Sequence, residues 1–304
     1  MKLSVVSTLY RSEGCLRGFY DRVSAAARMI THDYEIVLVN DGSPDGSLDV
    51  ALRLRESEPR IRIIDLSRNF GHHKALMAGL AESRGDLVFL IDSDLEEEPE
   101  ILPVMLTQME ESGADVVYGV QSIRRGSAFE RFSGFIFYTL FNLLSTHPIP
   151  RNLLTVRLMT RRYVDGLLLH RERETIIAGL WEATGFHQEP ITVEKSARGG
   201  TNYNMRRKLA VLVDAVTSFS AKPLIVSFYL GIAIVSLSGA AAASLVVRVV
   251  LFGALLEGWA SLIISIWLLG GMILFSLGMI GIYLSRIFME TKGRPNVIVR
   301  ARYE

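Results

Sequence analysis

Asp86-Leu87-Val88-Phe89-Leu90-Ile91-Asp92-Ser93-Asp94 is the stretch on which the fold turns. A short apolar run closed by turn-forming polar residues reads as a strand over 86–91, buried on both faces as in a parallel sheet. Its end carries two carboxylates two residues apart. Asp92 and Asp94 can both lean on one hard cation, and their oxygen chemistry suits Mg²⁺ or Mn²⁺ bridging phosphate oxygens. An acidic run follows, Leu95-Glu96-Glu97-Glu98-Pro99. Glu97 and Glu98 read as a solvated acidic face.

Upstream, the pattern alternates. A strand is predicted over 2–8, a helix over 13–30 from Leu16, Phe19, Val23 and Ala27 near helical spacing, and a second strand over 34–40. Asp41-Gly42-Ser43-Pro44-Asp45-Gly46 is a turn rich in breakers. A helix over 47–56, a strand over 61–66 and a helix over 73–83 lead into the strand at 86–91. Such alternation predicts an α/β fold with a Rossmann-like, mainly parallel sheet and right-handed crossovers. Ligands in these sheets bind beyond the carboxyl ends of strands. Tyr10, Asp41 and Asp92 stand just past such ends and can converge on one crevice. No glycine-rich phosphate loop of either common pattern is present, so a bound diphosphate would be neutralised by metal and side chains. His72 and His73 have no second ligand set at metal spacing and read as residues of a loop or helix start. Trp181 reads as core.

Downstream, the composition changes. The chain has 304 residues, 49% of them hydrophobic, with a mean hydropathy of +0.28. The excess lies in residues 224–247 and 258–285, both free of formal charge and longer than the roughly 20 residues a helix needs to cross a bilayer. Arg198, Arg206, Arg207, Lys208 and Lys222 precede the first span; Arg286, Lys292, Arg294, Arg300 and Arg302 follow the second. Between the spans, Arg248 is opposed by Glu257. The bias of basic residues predicts a two-helix transmembrane hairpin with both termini and the soluble domain cytoplasmic. The basic clusters suit anionic headgroups. Arg124, Arg125 and Arg131 flank Phe129, Phe132, Phe135 and Phe137, which predicts an interfacial helix over about 126–146. The organisation expected is a soluble domain over 1–220, two spanning helices within 221–288 and a basic cytoplasmic tail over 289–304. No signal peptide is expected at the start, where Leu3-Ser4-Val5-Val6 already begins a strand. A single cysteine, Cys15, excludes an internal disulfide and fits a reducing compartment.

The motifs Ser4-Val5-Val6…Tyr10, Val39-Asn40-Asp41-Gly42-Ser43, Leu66-Ser67-Arg68-Asn69-Phe70-Gly71, Ala78-Gly79 and Asp92-Ser93-Asp94 together resemble the family 2 glycosyltransferases of GT-A fold. Within that family the chain is similar to the polyprenyl-phosphate glycosyltransferases, the dolichol-phosphate-mannose-synthase-like and bactoprenol hexosyltransferase group. The resemblance runs on through Val116-Val117-Tyr118-Gly119, Arg157-Leu158-Met159, Glu172-Arg173, Thr217-Ser218-Phe219-Ser220 and the two apolar spans, and so covers nearly the whole chain. It implies inverting transfer of a sugar from a nucleotide-sugar, UDP-linked by expectation, to undecaprenyl phosphate at the cytoplasmic face of the inner membrane. The partners expected are that donor, that lipid acceptor, the bilayer and further copies of the chain in a homo-oligomer, with no nucleic acid.

The resemblance also implies roles. Asp92 and Asp94 hold Mg²⁺ or Mn²⁺ and the diphosphate, with Glu96 as a third contact. Thr8, Tyr10, Glu13, Val39, Asp41 and Ser93 line the donor side, and Arg198 closes over the diphosphate. Asp41 reads equally as an Asx-turn residue holding its own loop. Arg131 and Arg157 hold the acceptor phosphate. Asp94, Arg157 and Thr155 form the catalytic set. Thr155 occupies the place where many members carry an aspartate suggested as base, so no carboxylate base is expected there. Further departures are Thr8, Arg11 and Ser12 around the first strand end, Asn40 before Asp41, and Asn202 rather than a lysine after Arg198. Two rival readings are a processive polysaccharide synthase and a non-catalytic membrane scaffold. The first lacks its Q-x-x-R-W motif, since Gln121-Ser122-Ile123-Arg124 is followed by Arg125. The second is opposed by the intact Asp92 and Asp94.

Overall fold

The computed structural model describes residues 1–121, 152–172, 177–194, 220–252 and 258–304. The chain divides into two units, one holding the N-terminal residues together with Arg294–Glu304, the other holding Met205–Gly293.

The first unit is built on a mixed sheet. β1 (Leu3–Leu9), α1 (Leu16–Ile30), β2 (Tyr34–Asn40), α2 (Ser47–Ser57), β3 (Ile61–Leu66), α3 (His72–Glu82) and β4 (Leu87–Leu90) alternate along the chain. A turn of 3₁₀ helix, Pro99–Ile101, leads into α4 (Leu102–Ser112), followed by β5 (Val116–Gln121), β6 (Leu153–Thr160), α5 (Arg161–Leu167), α6 (Ile177–Ala183) and β7 (Gln188–Val193). A last strand, β8 (Val299–Tyr303), closes the unit. The strand order is β7-β5-β6-β4-β1-β2-β3-β8. β4, β1, β2 and β3 run parallel. β6 is antiparallel to both β4 and β5, and β7 is parallel to β5.

Every residue of β1 to β4 is buried, because helices cover both faces of the parallel part. On one face α1 lays Leu16, Phe19, Tyr20, Val23 and Ala27 over Leu3, Val5, Ile36, Leu38 and Phe89. On the other, α3 comes so close to β1 and β2 that a Cβ on Gly79 would lie 2.5 Å from Val6 Cγ1 and 2.9 Å from Val39 Cγ2. Glycine is therefore a requirement of this helix–sheet distance, and Val39 is a core residue beneath it. The expected elements are present with small shifts. α1 begins at Leu16 rather than 13 because Arg11 takes φ 57° and the Leu16 N–H donates to the Ser12 carbonyl across a tight turn.

The segment read as a basic tail supplies β8, antiparallel to β3. Arg300 binds Asp65, Arg302 lies 2.9 Å from a Glu82 oxygen, and the Glu304 carboxylate accepts from Arg62 at 2.6 Å and Arg84 at 2.8 Å. Arg300 and Arg302 are thus engaged with carboxylates of their own sheet unit, which removes two bases from the cluster counted as lipid-facing.

In the second unit, α7 (Lys222–Phe252) and α8 (Trp259–Thr291) have 31 and 33 residues. At 1.5 Å per residue they are about 45–50 Å long, beyond the roughly 30 Å of a bilayer's hydrocarbon core. Phe228, Tyr229, Trp267, Leu274 and Ile280 stand on their exposed surfaces. Both helices are long and apolar enough to cross a membrane. Ser227 and Ser276 bring their hydroxyls to 3.3 Å across the pair, the kind of polar contact that ties helices where no water competes. The stretch expected as an interfacial helix, with Arg124, Arg125 and Arg131, lies outside the described residues.

Candidate active site

From β1 the chain moves outward to β2 and β3 on one side, while β4 lies on the other. This reversal of strand order opens a crevice past the carboxyl ends of β1 and β4. The registers Val6↔Leu90 and Leu9↔Asn40 bring those ends level, so residues 8–12, 41–46 and 92–97 share one rim.

Hydroxyls tie β1 to β4. Ser93 is buried; its Oγ donates to the Thr8 carbonyl at 2.8 Å and lies 2.9 Å from Ser12 Oγ. The middle residue of Asp92-Ser93-Asp94 is therefore the anchor, and the aspartates on either side of it are the less buried residues of the three. Asp92 is partly buried and Asp94 exposed. Asp94 Oδ1 accepts the Glu96 N–H at 2.9 Å, closing an Asx turn. That turn holds Leu95 at φ 60°, a left-handed conformation that costs a branched residue roughly 1–2 kcal/mol. Glu96 is partly exposed next to it. Glu97 does not belong to a solvated acidic face: it is 1% exposed. The turn at Leu95 folds it inward, where its charge acts on Arg157.

His72 belongs to this crevice although its sequence gave no such sign. It starts α3, as a residue near a helix N-terminus should. Its ring also spans the site: Nδ1 lies 3.1 Å from Thr8 Oγ1 and Nε2 lies 3.4 Å from Asp92 Oδ1. The available signal was topological, since a helix that follows β3 begins on the same rim as Asp92.

On the β2 side, Asp41 is 2% exposed. Its carboxylate accepts the Phe70 N–H at 2.7 Å and the Gly71 N–H at 3.1 Å. Burial raises its pKa, against the two amide bonds that favour the charged form. Asp41 therefore clamps the loop after β3. The loop after β2 touches the same backbone: Gly42 has φ +58°, and a Cβ there would come within 2.5 Å of Arg68 C and Asn69 N. Glu13 Oε2 accepts the Gly46 N–H at 3.0 Å, so Glu13 also holds this loop. Burial pushes the Asp45 carboxyl up, but hydroxyls of Ser43 and Ser47 and amides of Glu13 and Ser47 outweigh it and bring the pKa to about 2. Tyr10 is exposed on the rim, with the Arg11 guanidinium 5.7 Å from its ring centre.

β6 supplies Thr155 and Arg157. The ladder pairs Arg157 with Leu90 and with Tyr118, so Thr155 lies two residues beyond, on the level of Asp92. Thr155 is partly buried. Arg157 is 1% exposed, its Cζ 3.0 Å from the centre of the Trp181 ring. Among the described residues, no hydrogen-bond partner reaches Nη1 or Nη2. Burial lowers its pKa to about 10, opposed by Tyr163, Glu182, Glu97 and Tyr118. Trp181 is core, as its sequence context predicts, and it is the lid over this cation. Arg131 and Arg198 lie outside the described residues.

Among the described residues no group of three metal-ligating side chains converges. What the rim offers is a pair of carboxylates, one of them beside an imidazole. A closed structural cage is excluded for these residues. An open site fits, in which a hard divalent cation takes its remaining oxygens from a bound diphosphate and water.

Known proteins share this sequence pattern and fold. The sequence model of Glycosyl transferase family 2 matches residues 4–167. A Mycobacterium tuberculosis (strain CDC 1551 / Oshkosh) protein described as a glycosyltransferase is 52% identical over 303 residues, 100% of this chain and 89% of its own length. The bactoprenol glucosyl transferase of Shigella phage SfX is 32% identical over 305 residues, 99% of this chain and 100% of its own. A mannosyltransferase from Pyrobaculum calidifontis, solved with GDP-Man and Mn²⁺, superposes with a TM-score of 0.51 at 16% identity, over 96% of this chain and 87% of that one. That likeness is one of fold.

Proposed function

The chain belongs to the family 2 glycosyltransferases, and we propose that it moves a sugar, with inversion, from a UDP-sugar to a polyprenyl phosphate, undecaprenyl phosphate in particular. One observation carries the reading: Asp92 and Asp94 are presented by a buried serine at the switch point of the sheet. The acceptor class draws on the full-length similarity to a bactoprenol glucosyl transferase.

Enzymes of this family generally use a divalent metal, and Mg²⁺ or Mn²⁺ is the ion proposed here. Asp92 and Asp94 would hold it, with Glu96 adjacent. When bound, the ion would neutralise charge developing on the departing diphosphate. The protein's own groups do the rest. Asp41, Glu13 and Asp45 fix the loop against which the nucleoside would lie, between Tyr10 and the backbone near Thr8 and Val39. His72 orients Asp92 from one side while Ser93 fixes the strand end below. A phosphate monoester has its second pKa near 6 and is largely dianionic at neutral pH, so the acceptor can attack without a carboxylate base. Thr155 would donate a hydrogen bond to it. Arg131 and Arg198 are proposed as direct phosphate contacts. Arg157, beneath Trp181, would favour the acceptor's charge from below the surface.

The membrane arrangement proposed is a hairpin of α7 and α8, with both termini and the sheet unit on the cytoplasmic face. Its support is that the chain returns after α8 to supply β8 of the same sheet unit, which requires an even number of crossings. Self-association is proposed as well. Membranes containing the protein, supplied with radiolabelled UDP-sugars, undecaprenyl phosphate and Mn²⁺, should form a lipid-soluble labelled product. Failure of every UDP-sugar, with a GDP-sugar succeeding, would reassign the donor. Failure of both classes would overturn the reading.

A further inference from the structure

We infer that Arg300, on the strand that follows both apolar helices, is a positioning residue for the nucleotide-binding loops. The inference rests on the donor crevice proposed above. Arg300 grips Asp65 with two nitrogens, Nε to Oδ2 at 2.7 Å and Nη2 to Oδ1 at 3.0 Å. A planar fork on a carboxylate fixes direction as well as distance. Asp65 is 2% exposed, so its charge has little water to turn to. The other partner of Asp65 is Asn40, whose Nδ2 donates to Oδ1 at 2.8 Å. The far side of the same amide, Asn40 Oδ1, accepts the Ser43 N–H at 3.2 Å. One amide orientation satisfies both bonds, and an aspartate at 40 would set two carboxylates against each other.

From Ser43 the path enters the crevice. Ser43 Oγ accepts the Arg11 N–H at 2.7 Å and donates to Asp45 Oδ1 at 2.5 Å. Arg11 adjoins Tyr10, and Asp45 is bonded to the Glu13 amide. A second tie runs alongside. The Ser67 N–H donates to the Ile298 carbonyl at 2.9 Å, at the entrance to β8. Three residues later the chain reaches Phe70 and Gly71, whose amides Asp41 holds. Both rim loops on the β2–β3 side are therefore anchored to the segment that emerges from α8. Asp65 and Asn40 are both buried polar residues. Their bonds run in one direction, from β8 to the rim.

The other end of β8 provides the control. Arg302 and Glu304 bind Glu82, Arg62 and Arg84, toward the opposite ends of the strands, where Tyr34 begins β2 and Ile61 begins β3. A change there weakens the strand without touching the rim.

The test measures UDP binding by calorimetry, with Mn²⁺ present, on the full-length protein in detergent. Wild type is expected to bind; absence of binding by wild type would refute the donor crevice itself, separately from the role of Arg300. Arg300→Met should weaken binding by about fivefold or more, the low end of measured couplings between sites. Arg302→Met should leave it within twofold of wild type. Arg300→Lys, which keeps a cation beside Asp65, should fall between and serves if the methionine variant does not fold. Asn40→Ala should weaken binding by itself and abolish most of the further effect of Arg300→Met, because the two lie on one path. Equal affinity in wild type and Arg300→Met would overturn the inference. So would equal weakening by Arg300→Met and Arg302→Met, which would reduce the effect to general loosening of the strand.

Discussion

Arg157→Met should make the protein less stable and less active. The guanidinium is fully buried, and its two terminal nitrogens have no hydrogen-bond partner among the described residues. Burial brings its pKa down to about 10, and the distance from the ordinary arginine value corresponds to about 3 kcal/mol against the charged form. The Trp181 face offsets part of this, since a desolvated cation–π contact contributes about 2 kcal/mol. Methionine has similar length and no charge, but it removes the cation that acts on the buried Glu97 carboxylate, and taking away one partner of a buried ion pair costs about 3–5 kcal/mol. Against this stands the roughly 1 kcal/mol of the arginine's own burial penalty left after the Trp181 contact, so the net loss expected is about 2–4 kcal/mol, read as a melting temperature lowered by about 4–16 °C. Transfer to undecaprenyl phosphate should fall, with the acceptor KM rising more than the donor KM, because the lost charge acts on the acceptor side. Arg157→Lys should recover acceptor KM in part. The reasoning is refuted if Arg157→Met melts at or above the wild-type temperature, which would show that the buried Glu97 carboxylate does not depend on this cation. It is equally refuted if that variant turns over normally, which would leave a costly buried cation with nothing to do.

Asp92→Asn and Asp94→Asn should each lower kcat by about 10²–10³, the loss typical of one electrostatic contact to developing charge, with melting unchanged; near-normal turnover, or turnover in excess chelator, would remove the metal assignment. Thr155→Ala should stay within about tenfold of wild type, since one neutral hydrogen bond contributes about 0.5–1.5 kcal/mol; a loss of thousands at unchanged donor affinity would make Thr155 essential to the chemistry. In a Cys15→Ser background, cysteines at Arg17 and Trp259 should label from opposite sides of sealed vesicles, and labelling from one side would refute the hairpin. Asp45 has its folded pKa lowered to about 2 from an ordinary value of 3.8, so the stability it adds is present above pH 3.8 and is lost as pH falls through about 2. Asp45→Asn should therefore be less stable than wild type at pH 5, and the gap should close toward pH 2; a gap independent of pH would show that charge is not the cause.

Local sequence carried much of the fold. Buried parallel strands are continuous apolar runs, and helices between them keep helical spacing, so β1 to β4 and α1 to α3 could be read within a few residues. The two long apolar helices were legible for the same reason: length and composition alone decide what can cross a bilayer. The Asp92-Ser93-Asp94 pair could be read because its chemistry and its place at a strand end are both local. Residues whose role depends on a distant partner could not. Glu97 looks like its exposed neighbours until the left-handed turn at Leu95 folds it inward. His72 looks like an ordinary helix start until α3 sets it between Thr8 and Asp92. Asp41 offered two readings, and its bonds to the Phe70 and Gly71 amides establish the loop clamp.

What the sequence by itself determined is the architecture of each element and the identity of the acidic pair, because hydrophobic period, turn chemistry and helix length are properties of neighbouring residues. What tertiary structure decided is which residues share a charge or a bond across dozens of positions. Arg157 became a buried cation through the antiparallel pairing of β6 with β4 and β5, and Arg300 ceased to be a surface base when β8 added itself to β3. Pairing of strands far apart in the chain follows from the energy of the whole sheet, and no local pattern encodes it.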